Sequence, residues 1–251
     1  NLFSLYPGGQ YFTLDAWRGF LDGSPFLDLF WKSIRMSLIV SVIAVVAAYP
    51  IAYFLALVAS KRRYFLLVLI LAPFLVSYFL RILSWKVILG DQGVINTFLY
   101  WTGLRADGDA VSWLLYSQFT VILTLIYVYV PFIALPIFVS LETLDRRLLE
   151  AAADLGASRW QAFRRITLPL SLPGVIAAFI FVFIPTIGEY FTPLLVGGVR
   201  GTMFGNAIAD QFGQSLNWTN GSVLSFFLLL VVAVLMAVFA RFLTVRRLAT
   251  G

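Results

Sequence analysis

The sequence predicts an all-α protein with several membrane-spanning helices. Of its 251 residues, 61% are hydrophobic and 12% are charged, whereas about a quarter of the residues of a soluble domain are charged. A hydrocarbon core about 30 Å thick is crossed by about 20 apolar residues in a helix, and five segments of the chain meet that length. No polar segment is long enough for a separate soluble domain, so residues 1–251 are predicted to form a single transmembrane domain.

The five predicted spans cover residues 36–59, 64–86, 117–141, 172–191 and 223–243. Prolines interrupt several of these segments, which a helical bundle tolerates when neighbouring groups satisfy the freed backbone. Residues 1–35 precede the first span and are predicted to be an outer segment with a short interfacial helix near Asp15. These spans define a multispanning α-helical membrane protein.

Basic residues between the spans set the orientation, because cytoplasmic loops are enriched in Lys and Arg. Eleven of the 18 basic residues lie on one predicted side: Lys61, Arg62, Arg63, Arg146, Arg147, Arg159, Arg164, Arg165, Arg241, Arg246 and Arg247. That side is predicted to be cytoplasmic, together with the C-terminus. The protein is therefore expected to be embedded in a membrane and surrounded by lipid.

The composition argues against chemistry in the chain itself. Cysteine and histidine are both absent, which removes thiol chemistry, His-based metal sites and His general bases. No phosphate-binding G-x-x-x-x-G-K-[ST] motif occurs. We therefore expect no catalytic residue, no metal site and no bound cofactor in this chain, and no feature suggests a nucleic-acid partner.

A polar island at residues 142–170 interrupts the apolar pattern and predicts a helical hairpin. Asp145 is placed to cap a first helix at 146–155, and Gly156 can adopt the left-handed conformation that ends such a helix. Ser158, with Gln161 three residues later, fits the capping box of a second helix. The residue before a proline is disfavoured in a helix, so the segment from Leu168 on is predicted to close it.

The island carries seven residues at fixed spacing: Glu150, Ala151, Ala152, Gly156, Ile166, Leu168 and Pro169. This pattern resembles the EAA loop of the inner-membrane permease subunits of ATP-binding cassette (ABC) importers. The resemblance implies the fold of an ABC type I importer permease, with these residues coupling the permease to its ATPase. An ordinary amphipathic cytoplasmic loop is the alternative interpretation.

The resemblance also implies partners. Such permeases pair with a second permease, usually a homologous but different chain, and work with two ATP-binding cassette subunits and a periplasmic solute-binding protein. ATP and Mg would bind those ATPase subunits. Permeases of this kind usually have a further spanning helix ahead of the first span seen here, so we expect one upstream.

A second informative stretch runs from residue 184 to 198 and contains Glu189, the only acidic residue inside a predicted span. Burying an isolated carboxylate in lipid costs a large free energy. Glycine and proline on both sides of Glu189 also favour irregular backbone, which is stable at membrane depth only where it lines a cavity, so this stretch is predicted to line a translocation cavity. Two interpretations stay open from the sequence. Glu189 contacts the substrate pathway, or it forms a structural ion pair with Arg81 or Arg35.

The same stretch is similar to a permease subunit of spermidine/putrescine importers. Carboxylates and aromatic faces suit the ammonium groups and apolar stems of polyamines, so the candidate pathway residues are Glu189, Tyr190, Trp85, Tyr78 and Asp91. For Trp85 the aromatic belt at the membrane interface is the competing explanation. Importers of opines, amino-acid derivatives or iron share this scaffold. An ion-gradient-driven transporter and a membrane enzyme are the alternatives from other classes.

Overall fold

The computed structural model describes residues 15–22, 24–104, 111 and 113–249, and all regular structure in these ranges is helical. The first part of the predicted outer segment, residues 1–14 and 23, lies outside the described residues, as do residues 105–110 of an outer loop. The helices are α1 Asp15–Leu21, α2 Pro25–Tyr53, α3 Arg63–Leu71, α4 Tyr78–Leu89, α5 Val94–Trp101, α6 Gln118–Glu142, α7 Arg146–Asp154, α8 Arg159–Ala162, α9 Leu168–Ile187, α10 Gly198–Gly201, α11 Phe204–Gly213 and α12 Trp218–Ala249.

Four continuous helical segments of the described chain are long and apolar enough to cross a membrane: Pro25–Val58, Gln118–Glu142, Arg159–Ile187 and Trp218–Arg241. Two further segments, Arg63–Leu75 and Tyr78–Trp101, meet at an angle of 81° and are together long and apolar enough to count as a fifth, broken span. The five predicted spans are therefore present. The second of them, 64–86, is interrupted by this bend and is not a single straight helix.

The break in the second span follows from the backbone around Pro73. The α-helix changes to a 3₁₀-helix at Ala72–Leu75, and Val76 then adopts an extended backbone conformation. Proline has no N–H to donate and clashes with a preceding carbonyl in a helix interior. Inside α2 and α6, Pro50, Pro131 and Pro136 are accommodated without such a break.

The main core lies where α2, α6 and α9 pack together. One face of α2 is a line of buried residues four positions apart, namely Met36, Val40, Ala44, Ala48 and Ala52. Residues four apart lie on the same face of a helix, and the alanines let neighbouring helices approach closely, as is common in membranes. This packing fixes the end of α9, from which the candidate pathway residue extends.

A second cluster of aromatic residues joins α1, the start of α2, α11 and α12. The rings of Phe30, Phe204 and Phe227 meet mostly edge to face, with centroids 5.0–6.1 Å apart. The Phe204 N–H also donates to the Ser33 hydroxyl at 2.7 Å. These contacts anchor α11 against α2, and α11 in turn supports the chain that follows α9.

Candidate functional site

The hairpin formed by α7 and α8 is shaped by its own caps. The Asp145 carboxylate accepts a hydrogen bond from the Arg147 N–H at 3.0 Å and starts α7. At the other end, the Gly156 N–H donates to the Ala153 carbonyl and the Ala157 N–H to the Ala152 carbonyl, both at 2.9 Å. This is a Schellman ending, and Gly156 has φ of +79°. The predicted cap and turn are confirmed.

The second helix of the hairpin starts as the capping box predicts. The Gln161 N–H donates to the Ser158 hydroxyl at 3.3 Å, and the Ser158 N–H donates to the Gln161 side-chain oxygen at 2.8 Å. The predicted end at Leu168 and Pro169 was wrong. A π-helical turn at Phe163–Thr167 connects α8 to α9, and Leu168 lies within the helical region with φ −64° and ψ −48°.

The π turn explains why the proline does not end the helix. Its wider hydrogen-bonding pattern, in which the Leu168 N–H donates to the Phe163 carbonyl, shifts the preceding carbonyls away from the ring of Pro169. The segment Arg159–Ile187 is therefore one continuous helical element. Ile166, Leu168 and Pro169 form the joint at which the hairpin passes directly into the fourth span.

The hairpin presents side chains that have no partner in the described chain. Glu150 is exposed and makes no hydrogen bond or ion pair with any described residue. Three large apolar side chains beside it are also exposed, namely Leu148 (45%), Leu155 (88%) and Trp160 (67%). Ala151 and Gly156 are exposed, and Ala152 is half-buried. A surface that combines exposed apolar groups with a free carboxylate is suited to docking another protein.

Glu189 lies at the break between α9, which ends at Ile187, and the helical segment that begins at Phe191. Its Oε1 accepts hydrogen bonds from the Phe191 N–H at 2.9 Å and the Thr192 N–H at 3.0 Å. The carboxylate therefore caps the next helix, where a negative charge is favoured. The predicted C-terminal end of the fourth span, 172–191, was four residues too late, since residues 188–191 form this break and the start of the next helix.

Tyr78, the first residue of α4, reaches the same carboxylate from the second span. Its hydroxyl donates to Glu189 Oε2 at 3.0 Å and lies 2.8 Å from the Thr192 hydroxyl. The ring of Tyr78 also stacks on Phe191, with centroids 6.2 Å apart. Two interrupted helices thus meet at one carboxylate, an arrangement that transporters use for ion and substrate sites.

The backbone around Glu189 is held from the other side by α11. The Asn206 amide donates to the Tyr190 carbonyl at 2.7 Å, and its oxygen accepts from the Met203 N–H at 2.9 Å. Gly205 faces the Gly188 and Glu189 carbonyls so closely that a Cβ atom there would lie 2.8 Å from the latter. A glycine is therefore needed at position 205 for this approach.

The alternative interpretation of Glu189 as a structural ion pair is not supported. Arg81 and Arg35 make no ion pair with it, and the ion pair found among the described residues joins Arg63 to Glu142 at 3.0 Å. Three hydrogen-bond donors contact the carboxylate, which offers about four acceptor positions. The Glu189 carboxylate therefore keeps some acceptor capacity beside the rings of Tyr78 and Phe191, an arrangement suited to binding a cation.

The structure brings together some of the predicted pathway residues and separates others. Tyr190 is next to Glu189 and 48% exposed. Trp85 packs against Tyr127 two turns along α4 from Tyr78. Asp91 lies in the exposed turn after α4, 13 residues beyond Tyr78 and therefore about 20 Å from it along the helix direction at 1.5 Å per residue. Neither Trp85 nor Asp91 contacts Glu189, and their pathway role stays a prediction.

Sequence reasoning did not identify two residues of the Glu189 site, Thr192 and Asn206. A signal for Thr192 was available, because an acidic residue three positions ahead of it and Pro193 just behind it mark a helix start. Asn206 lies between the fourth and fifth predicted spans, where the sequence carries no local signal for it. Its contact with Tyr190 depends on how α11 folds back, which no local pattern reveals.

Comparisons with known proteins agree with this architecture. A family model described as "Binding-protein-dependent transport system inner membrane component" matches residues 42–249. The chain is 37% identical over 230 residues to the spermidine/putrescine transport system permease protein PotB of Escherichia coli K12, covering 92% of this chain and 82% of that protein. It is 38% identical over 216 residues to the PotB protein of Haemophilus influenzae, covering 86% and 74%.

The fold is similar to that of a chain in a solved bacterial alginate ABC transporter, which was crystallised with an alginate pentasaccharide-bound periplasmic protein. The TM-score is 0.77 at 20% identity, covering 92% of this chain and 82% of that one. At that identity the likeness concerns the fold alone.

Proposed function

The chain belongs to the family of inner membrane components of binding-protein-dependent transport systems, and from this premise we propose that it forms part of the substrate pathway of an ABC importer for polyamines. The family is one of transport components, so the chain is a multi-pass inner membrane transport subunit and not an enzyme. The relatives named as spermidine/putrescine permeases support the substrate class. A permease for another small solute, such as an opine, an amino-acid derivative or iron, is the second candidate.

The observation that carries the proposal is the carboxylate of Glu189 at the meeting of two interrupted helices. Its contacts are two backbone N–H groups and the hydroxyl of Tyr78. A polyamine has ammonium groups on apolar stems, which match a carboxylate flanked by aromatic rings. We propose that Glu189 contacts the passing amine, with Tyr78 and Tyr190 beside it.

The hairpin supplies the proposed coupling. An ATPase subunit docks on the exposed face around Glu150 and Leu155, and ATP with Mg binds to that subunit rather than to this chain. Because Arg159–Ile187 is continuous helix, a movement of the hairpin is transmitted directly to the end of α9, next to Glu189. ATP-driven closure of two ATPase subunits thereby changes the side from which the pathway is open.

The remaining partners are a second permease, homologous to this chain but different in sequence, and a periplasmic solute-binding protein that delivers the amine. We propose that the Arg-rich loops, the hairpin and the C-terminus are cytoplasmic. The order of the helices is compatible with this, since α7 and α8 follow the third crossing and the end of α12 follows the fifth. Both therefore lie on one side of the membrane.

Cysteine labelling tests the orientation without a background, because the chain has no cysteine. Arg62→Cys and Arg159→Cys should resist a membrane-impermeant maleimide in intact cells, whereas Asn220→Cys should react. Permeabilised cells provide the control, in which all three should react. The reverse pattern in intact cells would overturn the orientation and the docking of the hairpin.

The substrate is tested with the reconstituted complex. With the binding protein present, spermidine or putrescine should stimulate ATP hydrolysis and accumulate inside vesicles. Opines, amino-acid derivatives and ferric iron should do neither. Stimulation by one of these and not by polyamines would replace the substrate class and leave the family assignment intact.

A further inference from the structure

The break between α3 and α4 leaves polar backbone without a partner in a segment that crosses the membrane. α4 starts at Tyr78, and the side chain of Ser77 makes no capping hydrogen bond. The surface of the break is nevertheless open, because Leu75 is 88% exposed and Val76 47% exposed. Lipid offers no hydrogen bonds, so irregular backbone at membrane depth is stable only against protein or water.

Arg81, in the first turn of α4, is a second polar group at the break that lacks a hydrogen-bond acceptor. The residue is 6% exposed, and its Nε atom is buried without a hydrogen-bond partner. Its guanidinium carbon lies 5.1 Å from the ring centre of Phe74 and 5.7 Å from that of Tyr78, one ring on each side of the break. The guanidinium group thus lies against two aromatic faces and makes no ion pair with a described residue.

A buried guanidinium needs acceptors, because it carries five N–H donors and no acceptor of its own. Glu189 does not fill this need, since it makes neither a hydrogen bond nor an ion pair with Arg81. The uncapped start of α4 also favours a negative group. The Arg81 side chain and the N-terminus of α4 lie close together, and both lack an anionic hydrogen-bond acceptor.

The residues around the break indicate what covers it. Phe74, Phe79 and Leu80 are exposed by 43–53%, so the rim is apolar. A water-filled cavity would be lined by polar side chains, and lipid alone would leave Arg81 and the α4 terminus without acceptors. A protein surface with an apolar face and one acidic side chain would cover the apolar rim and provide an acceptor both for Arg81 and for the start of α4.

We propose that the second permease subunit packs on the break formed by residues 72–80 and presents a carboxylate to Arg81. This proposal rests on the proposed function, because it requires a second permease. An arginine inside a membrane is most stable when it is paired, and the guanidinium matches a carboxylate in a bidentate geometry. The ion pair would position α4, and with it Tyr78, at the subunit interface.

The first experiment maps the contact in membranes that contain the whole complex. Leu75→Cys, coupled to a photoreactive maleimide, should cross-link to the second permease, and mass spectrometry should locate the product near an Asp or Glu of that subunit. Membranes lacking the second permease provide the blank. A cross-linked segment without an acidic residue, or labelling of Cys by a water-soluble maleimide without a cross-link, would overturn the proposal.

The second experiment tests the charge. Arg81→Gln should lower the amount of second permease recovered with the tagged chain at least tenfold, and Arg81→Lys should retain most of it. Arg35→Gln, which removes an exposed arginine of α2, is the matched control and should have no effect. If Arg81→Gln lowers the yield of the chain itself, the two charges of the proposed ion pair are exchanged instead. Arg81→Glu combined with Lys at the mapped acidic position should restore recovery that each single change loses.

The outcomes separate this proposal from the proposed function. If the unchanged chain recovers neither a second permease nor an ATPase, the proposed function fails. If both are recovered, and Arg81→Gln recovers them equally well, the importer assignment stands and the inter-subunit ion pair is wrong.

Discussion

The hairpin and the Glu189 site are built in opposite ways. The hydrogen bonds that cap and turn the hairpin join residues no more than five positions apart, such as Ser158 with Gln161 and Ala157 with Ala152. One tertiary hydrogen bond, from the Arg146 guanidinium to the Ala56 carbonyl at 3.2 Å, ties the start of α7 to the bundle. The Glu189 carboxylate is instead reached by Tyr78 from 111 positions away, and the neighbouring carbonyl by Asn206 from 16 positions away. The turn and caps of the coupling element are therefore encoded locally, whereas the candidate pathway group depends on the tertiary packing of α4 and α11 around the end of α9.

The two regions also differ in what they leave free. Glu150 and Leu155 of the hairpin are exposed and unpaired within the described chain, while Glu189 is half-buried and contacted by three donors. Damage to the hairpin should therefore disturb docking and spare the bundle. Damage to the Glu189 site should affect transport and can also affect the packing around it. This contrast can be tested by substitutions in each region.

The largest effect is expected from the hairpin. Gly156→Val places a β-branched residue at φ +79°, at a local cost of about 1–3 kcal/mol, and Glu150→Ala removes the free carboxylate. Uptake by the double variant should fall by more than about a hundredfold, a loss that corresponds to a coupling energy of about 3 kcal/mol. Insertion of the chain should be normal, but ATPase subunits should co-purify poorly or hydrolyse ATP without transport. Uptake and co-purification are measured together.

A matched control separates backbone conformation from side-chain size. Gly213 resembles Gly156 in that no atom lies within 4 Å of an added Cβ, but its φ is not positive. Gly213→Val should keep ATPase recovery. Normal transport by the Gly156→Val, Glu150→Ala variant would show that the hairpin is not the coupling element.

The next effect concerns the charge of Glu189. Glu189→Gln keeps an oxygen that can accept from the Phe191 and Thr192 N–H groups, so the helix start should persist. The charge-assisted contact to an amine is lost, and such contacts contribute about 1.5–3 kcal/mol. Uptake should therefore fall roughly ten- to hundredfold. Recovery of the partner subunits should be unchanged, as measured by co-purification and thermal stability.

Asp210→Asn provides the comparison, because Asp210 is an exposed acid on α11 that makes no ion pair with a described residue. Its neutralisation should leave uptake near normal. Unchanged uptake in a stable Glu189→Gln complex would remove Glu189 from the pathway and weaken the assignment of a cationic substrate.

The same contrast explains what the sequence could predict. The caps at Asp145 and Ser158 and the left-handed Gly156 were predictable, because each depends on residues a few positions away. The five crossings were predictable from hydropathy. The 81° break after Pro73 was not, since Pro50 and Pro131 show that a proline alone does not break a helix. Continuity through Leu168 and Pro169 was missed because the local rule for proline does not include a π turn.

At the Glu189 site, the carboxylate could be found from the sequence and its environment could not. An acid in an apolar span is visible by composition, and the expected partners were Arg81 or Arg35. Its actual partners are backbone N–H groups and Tyr78, which depend on where α9 ends and how α4 is tilted. Trp85 and Asp91 were grouped with Tyr78 by chemistry, but the length of α4 separates them.

The smallest expected effect tests whether tertiary support of Glu189 matters for transport. Tyr78→Phe keeps the ring that stacks on Phe191 and removes the hydroxyl that contacts Glu189 and Thr192. A hydrogen bond contributes about 0.5–1.5 kcal/mol net, so the maximal uptake rate should fall about two- to tenfold, less than in Glu189→Gln. Tyr49→Phe is the matched control, because its hydroxyl bonds Ser171 at 2.9 Å in the same bundle, away from Glu189. Both variants should lose similar thermal stability, but Tyr49→Phe should transport normally. Equal uptake by the two variants would mean that the hydroxyl of Tyr78 serves packing alone, and that Glu189 acts without help from the second span.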